Sequence, residues 1–127
     1  MINALAAADR VIVPTQAEPL ALHGLASMVR TVDMVERSRR RPLPAWILPT
    51  LFDKRTRAGN DTLRQMRDSY GDRVWSEAIP VDTRICNVRA LTLATLPHGY
   101  AGRGLAAYRR ALEWLTARNA VPMEQAA

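Results

Sequence analysis

Three short polar sets in this chain hold residue types that bind ligands. Gln16 and Glu18 follow the apolar run Val11-Ile12-Val13-Pro14. Asp53, Lys54, Arg55 and Arg57 follow "AWILPTLF" (45–52), and Val81, Asp82 and Arg84 follow "RVWSEAIP" (73–80). Carboxylates accept hydrogen bonds from N–H donors, and guanidinium forks grip phosphate oxygens two at a time. The mixture suits recognition of a polyanion. No catalytic residue or metal ligand is expected. His23 has no His, Cys or paired carboxylate at ligand spacing, His98 lies in a stretch without a clear period, and Cys86 is the only cysteine. A lone cysteine excludes an internal disulfide and a paired-cysteine metal site.

The elements that must position these sets alternate in type. Residues 1–8 read as a short helical piece and 10–15 as a strand, apolar throughout and therefore expected to be buried on both faces. Leu22, Leu25, Val29, Val32 and Val35 recur at helical spacing, which makes 20–38 an amphipathic helix. The run from Arg37 to Arg41 falls near its end, where cations suit the helix dipole, and Arg39-Arg40-Arg41 within it reads most simply as a solvated helix end. Pro42 and Pro44 stop the helix. A second strand covers about 45–52, with Pro49 inside it, so a bulge or an edge position is expected there. Asn60 or Asp61 is suited to cap the next helix, Leu63, Met66 and Tyr70 form its stripe, and Gly71 closes it. Residues 73–80 read as a third strand, and Leu105, Tyr108, Leu112 and Leu115 mark a last helix. Such alternation implies a three-layer α/β fold: a parallel sheet with right-handed helical crossovers. In these sheets ligands bind at the carboxyl ends of the strands, which is where all three polar sets lie.

The chain has 127 residues, one domain's worth, with an ordered core expected over about 2–118. Hydrophobic residues make up 48%, which fits a globular protein. No apolar run approaches the ~20 residues of a membrane helix, and the first residues lack the pattern of a secretory signal, so the expected location is the cytoplasm, with no membrane partner. The net charge is +6 and Lys54 is the single lysine, so the basic charge is nearly all arginine. That balance favours nucleic acid, although an arginine-rich composition would produce it as well.

"INALAAADRVIVPTQAEPLALHGL", "LPTLFDKRT", "EAIPVDTR" and "AGRGLAAYRRALEWL" occur in this order across about residues 2–116. Together they resemble the ParA family of partition ATPases, relatives of MinD. Each motif is weak by itself; four in register are not. The resemblance implies half of a P-loop NTPase fold, namely the carboxyl-terminal half. These residues contain no G-x-x-x-x-G-K-[ST], and "GYAGRG" (99–104) has no lysine and follows no strand, so the phosphate cradle and magnesium-binding motifs of the family are missing here.

The resemblance also implies roles for the polar sets. The family places the nucleotide base between the last two core strand ends, here Phe52-Asp53 and Pro80-Val81-Asp82. Phe52 and Pro80 offer flat apolar faces to a purine, and Asp82 an acceptor for an exocyclic amine; alternatively Phe52 is core and Pro80 merely ends a strand. Gln16 and Glu18 would face the active site and the partner subunit of a nucleotide-sandwich dimer, to orient a water or contact the partner, or Glu18 would serve as a helix cap. Non-specific DNA binding maps by motif onto Arg55 and Arg84, with Lys54, Arg57, Arg89 and Arg103 as neighbours. Each of these cations could instead be solvated surface charge. ATP and magnesium are the implied cofactors, expected to bind weakly without the phosphate cradle. DNA, a ParB-like centromere-binding protein, and a second copy or an amino-terminal half are the implied partners, with a nucleoid-associated location. The expected function is plasmid or chromosome partition by an ATPase of which this is the carboxyl-terminal half. The rival is a non-catalytic DNA-binding or interaction module, or a truncated remnant. An unpartnered first strand would further favour self-association.

Overall fold

The computed structural model of the chain describes residues 1–83 and 102–119. In chain order these form α1 (Ile2–Ala7), β1 (Val11–Gln16), α2 (Pro19–Arg39), β2 (Ala45–Thr50), α3 (Arg57–Tyr70), a 3₁₀ turn (Gly71–Arg73) and α4 (Arg103–Asn119). β1 and β2 pair in parallel, with Val11 opposite Ala45 and Gln16 opposite Thr50. The connection between them is α2, as a parallel crossover requires.

Helices cover both faces of the sheet, giving three layers. On one face Leu5 of α1 and Val32 and Val35 of α2 pack with Val11, Leu43 and Ala45. Further along the same face, Leu25 and Val29 of α2, Met66 of α3, Ile47 and Val74 form a second cluster. On the other face Leu48, Trp75 and Ile79 pack against Ala107 and Ala111 of α4. The helical stripe foreseen in α2 is the buried one, and Gly71 at φ 53° ends α3 in a conformation that favours glycine.

Four expectations are corrected. First, β1 is not buried on both faces: Ile12 is 43% exposed and Pro14 and Gln16 are exposed, because α4 packs over β2 and residues 75–79 rather than over β1. Second, residues 73–80 are not a regular strand. They run parallel to β2 through two isolated bridges, Ile47 with Val74 and Phe52 with Pro80. Trp75 donates to the Ile47 carbonyl and Ile79 to that of Pro49, so four residues advance along this segment while two advance along β2. The surplus residues bulge opposite Pro49, whose ring nitrogen faces them and has no hydrogen to donate. A side chain serves one backbone group of the bulge, as the Arg67 guanidinium donates to the Ser76 carbonyl, and Arg110 Nε donates to Glu77 Oε1 at 2.9 Å beside it.

Third, α4 turns a different stripe inward. Ala107 and Ala111 are buried while Tyr108 and Leu112 are 42% and 64% exposed. Small side chains let the helix approach the bulky Leu48 and Trp75. Trp114 extends this face and meets Trp46 edge to face at 5.7 Å, with the Arg118 guanidinium over both rings at 4.4 and 4.9 Å. Fourth, Arg39 is not a solvated helix end. Its guanidinium donates to the carbonyls of Leu5, Ala6, Ala8, Arg41 and Pro42, tying α1 to the turn that follows α2.

Candidate functional site

The register of the sheet puts the carboxyl ends of its segments on one rim. Gln16 lies opposite Thr50, and Phe52 bridges Pro80, with Phe52 N–H donating to Ile79 O and Val81 N–H to Phe52 O. Between the two latter ends opens a cavity of about 790 Å³. It is lined by Phe52, Asp53, Lys54, Arg55, Pro80, Val81, Asp82, Thr83 and Arg103. The polar sets that follow the second and third strand segments thus converge, although thirty residues separate them in sequence.

Local structure holds the wall of residues 52–59 rigid. The helix starts earlier than expected, and Thr56 rather than Asn60 or Asp61 is its cap. Thr56 Oγ1 accepts from Gly59 N at 3.1 Å and donates to the Asp53 carbonyl at 2.9 Å. Asn60 instead donates its side-chain amide to the carbonyls of Lys54 and Thr56. Gly59 permits this close turn: a Cβ there would stand 2.7 Å from Thr56 Oγ1 and 3.2 Å from the Asp53 carbonyl oxygen. The preceding Leu51 is 53% exposed with φ 49°, an unusual conformation for a branched residue at the point where β2 hands over to the loop.

Both carboxylates that line the cavity accept hydrogen bonds. Asp53 accepts from Arg55 at three donors: the backbone N–H and Nε, both at 3.0 Å on Oδ1, and NH2 at 2.9 Å on Oδ2. These bonds, with a smaller contribution from nearby Arg103, hold the Asp53 carboxyl down at about 2 and push the Arg55 guanidinium up. Asp82 Oδ2 accepts from Gly104 N–H at 3.0 Å, so this carboxylate caps α4 from a distant loop while bordering the cavity.

Of the residues expected at a base-binding wall, Phe52, Asp53, Pro80, Val81 and Asp82 all line this cavity, as do three of the expected cations, Lys54, Arg55 and Arg103. Phe52 and Pro80 are half-buried. Arg57 is exposed in the first turn of α3 and does not line the cavity. Gln16 and Glu18 are exposed on the same rim but away from the cavity. Glu18 occupies the cap position of α2 without a side-chain capping bond, which removes the simplest structural use for it. Arg84 and Arg89 lie outside the described residues. Sequence reasoning missed Thr56, Gly59 and Thr83. A threonine three residues before a glycine at a helix start is the signal that could have found the first two. Among the described residues no group of three or more His, Cys, Asp or Glu could hold a metal ion, and no helix is long and apolar enough to cross a membrane.

Comparison with known proteins adds independent observations. A family model described as an AAA domain matches residues 1–44. The chain is 35% identical over 118 residues to the chromosome-partitioning ATPase Soj of Thermus thermophilus, covering 92% of this chain and 47% of that protein. It is 31% identical over 108 residues to the chromosome partitioning protein ParA of Caulobacter vibrioides, covering 84% and 40%. The chain therefore spans about half the length, or less, of the curated relatives it matches. Among solved structures it is similar to a cobyrinic acid a,c-diamide synthase from Mycobacterium smegmatis with bound ATP analogue and magnesium. The TM-score is 0.68 at 32% identity, covering 94% of this chain and 43% of that one.

Proposed function

The chain belongs to the ParA/MinD-type partition ATPase family, and from that premise we propose that it supplies the base-side wall of a nucleotide cleft and a cationic rim that binds DNA without reading its sequence. The activity it would serve is the ATP-dependent segregation of DNA. One observation carries the reading: a single cavity is lined both by the apolar faces of Phe52 and Pro80 and by Lys54, Arg55 and Arg103. The apolar pair suits a purine ring, and Val81 and Asp82 border the same opening. The similar synthase structure holds an ATP analogue and magnesium, which supports an adenine nucleotide as the occupant. The described residues are assigned the base, and no step of hydrolysis is assigned to them.

On the rim, guanidinium groups contact phosphates and release counterions, giving affinity that falls with salt. Arg55 is the central contact, with Lys54, Arg57 and Arg103 beside it and Arg84 and Arg89 as further contacts. Gln16 and Glu18 serve a subunit contact on the same rim. The partners proposed are non-specific DNA, a ParB-like protein and a second copy of the fold, at the nucleoid.

A second reading is favoured by the sequence: these 127 residues contain no G-x-x-x-x-G-K-[ST], so the chain acts as a DNA-binding or interaction module without turnover of its own. Three assays test the readings. Fluorescent adenine nucleotide should bind weakly, and Phe52→Ala should abolish that binding; equal binding by the variant refutes the base wall. Labelled duplex DNA should bind at low salt and be lost in Arg55→Ala plus Arg84→Ala; no binding by the unaltered chain refutes the rim. Phosphate release from ATP should stay at background, and turnover that stops on chelating magnesium refutes the second reading.

A further inference from the structure

The Arg55 guanidinium is already engaged at the edge a phosphate would use. Nε and NH2 point together at the two oxygens of Asp53, at 3.0 and 2.9 Å. This is the parallel two-bond geometry that a guanidinium offers to phosphate. We propose that Asp53 is a restraining residue: its carboxylate occupies the phosphate-binding edge of Arg55, so that DNA must displace it, and it holds DNA affinity below what Arg55 would otherwise provide. The proposal rests on the reading of Arg55 as a phosphate contact and concerns its regulation.

Three observations support it. The backbone carbonyl of residue 53 closes the loop by accepting from Thr56 N at 3.1 Å and Oγ1 at 2.9 Å, and the bond that the Asp53 side chain adds to the loop, from the Arg55 N–H to Oδ1 at 3.0 Å, is one that an asparagine amide oxygen also accepts. The partners are two residues apart in a tight turn, so the carboxylate stays beside the guanidinium and competes at high local concentration. The Arg55 side chain is 85% exposed, so an incoming phosphate can reach it, whereas the Asp53 side chain is only 29% exposed and cannot swing clear into solvent as easily. Among the described residues the other charges that line the cavity are Lys54, Asp82 and Arg103. Asp82 accepts from the α4 backbone, and so the carboxylate that makes both bonds to the Arg55 fork is Asp53. Exposed ion pairs are weak, which sets the scale of the restraint at a few-fold.

The test is a double-mutant cycle read by fluorescence anisotropy of a short labelled duplex of arbitrary sequence over a range of salt. The proteins are the unaltered chain, Asp53→Asn, Arg55→Ala and the double variant. Asp53→Asn should bind roughly two- to five-fold tighter at low salt, with a log affinity against log salt slope steeper by up to about one. In the Arg55→Ala background the same change should gain nothing. A gain that persists there marks bulk charge rather than release of Arg55 and overturns the proposal. Equal or weaker binding by Asp53→Asn also overturns it, since Asp53 would then organise Arg55 for phosphate. If Arg55→Ala binds as well as the unaltered chain, the reading of Arg55 as a DNA contact fails, separately from the restraint. No binding by any of the four overturns both. Asp53→Ala, which also removes the carboxylate, repeats the comparison should the asparagine variant fold poorly.

Discussion

Replacing Arg39 by alanine should detach α1 from the rest of the molecule, and the structure sets the size of the effect. The guanidinium reaches five carbonyls: Nε donates to Arg41 at 3.1 Å, NH2 to Pro42 at 2.6 Å, and NH1 to Leu5, Ala6 and Ala8 at 3.0, 3.0 and 2.7 Å. NH1 has two hydrogens for three acceptors, so its contacts count as two full bonds and the whole fork as four. A charged donor contributes about 1.5–3 kcal/mol per bond when buried, but this fork is half-exposed and water can replace part of it. At roughly 0.5–0.7 kcal/mol per bond the loss is about 2–3 kcal/mol, the lower end of the range for neutral bonds. With a urea slope of about 1–3 kcal/mol per molar, the unfolding midpoint followed by circular dichroism should fall by roughly 0.7–3 M. Arg39→Lys keeps the charge but presents a single ammonium, which reaches one group of carbonyls, and should recover no more than half. A midpoint for Arg39→Ala equal to that of the unaltered chain would refute the reasoning. Full recovery by lysine would show that charge at the end of α2, not the fork, is what matters.

Thr56→Ala should cost about 1 kcal/mol, a drop of roughly 3–6 °C in melting temperature, while Thr56→Ser retains the cap; an unchanged melt would exclude the capping bond. Gly59→Ala stabilises an ordinary helix by about 1 kcal/mol, yet here the new Cβ meets Thr56 Oγ1 at 2.7 Å, so the variant should melt lower than the parent, and a higher melt would disprove the close approach. The Asp53 carboxyl is held near 2, below its ordinary 3.8, so the pair with Arg55 stabilises above about pH 4 and is lost as pH falls toward 2. The stability difference between the unaltered chain and Asp53→Asn should therefore be flat from about pH 5 to 8 and shrink in acid. A difference that still changes between about pH 6 and 8 would point to another group.

Local patterns determined much of this protein. The period of Leu22, Leu25, Val29, Val32 and Val35 specifies α2 and its buried face, Gly71 specifies where α3 ends, and alternation of apolar runs with helices specifies a parallel sheet whose rim gathers residues 53 and 80. These features follow from interactions within a few residues, or from the handedness of a single crossover. What the tertiary structure decided depends on partners far away in the chain. In α4 the stripe of Leu105, Tyr108, Leu112 and Leu115 and the stripe of Ala107, Ala111 and Trp114 have the same period, and only the bulk of Leu48 and Trp75 beneath selects the second. Pro49 is visibly awkward in sequence, but the side its missing hydrogen faces, and so which neighbour must bulge, is set by the register with β1. Arg39 looks like any arginine at a helix end until the carbonyls of α1, more than thirty residues away, come within reach of its fork. The same holds at the site: residue types placed cations after the second strand, whereas the bond that ties Arg55 to Asp53 depends on the turn that brings the two side chains face to face.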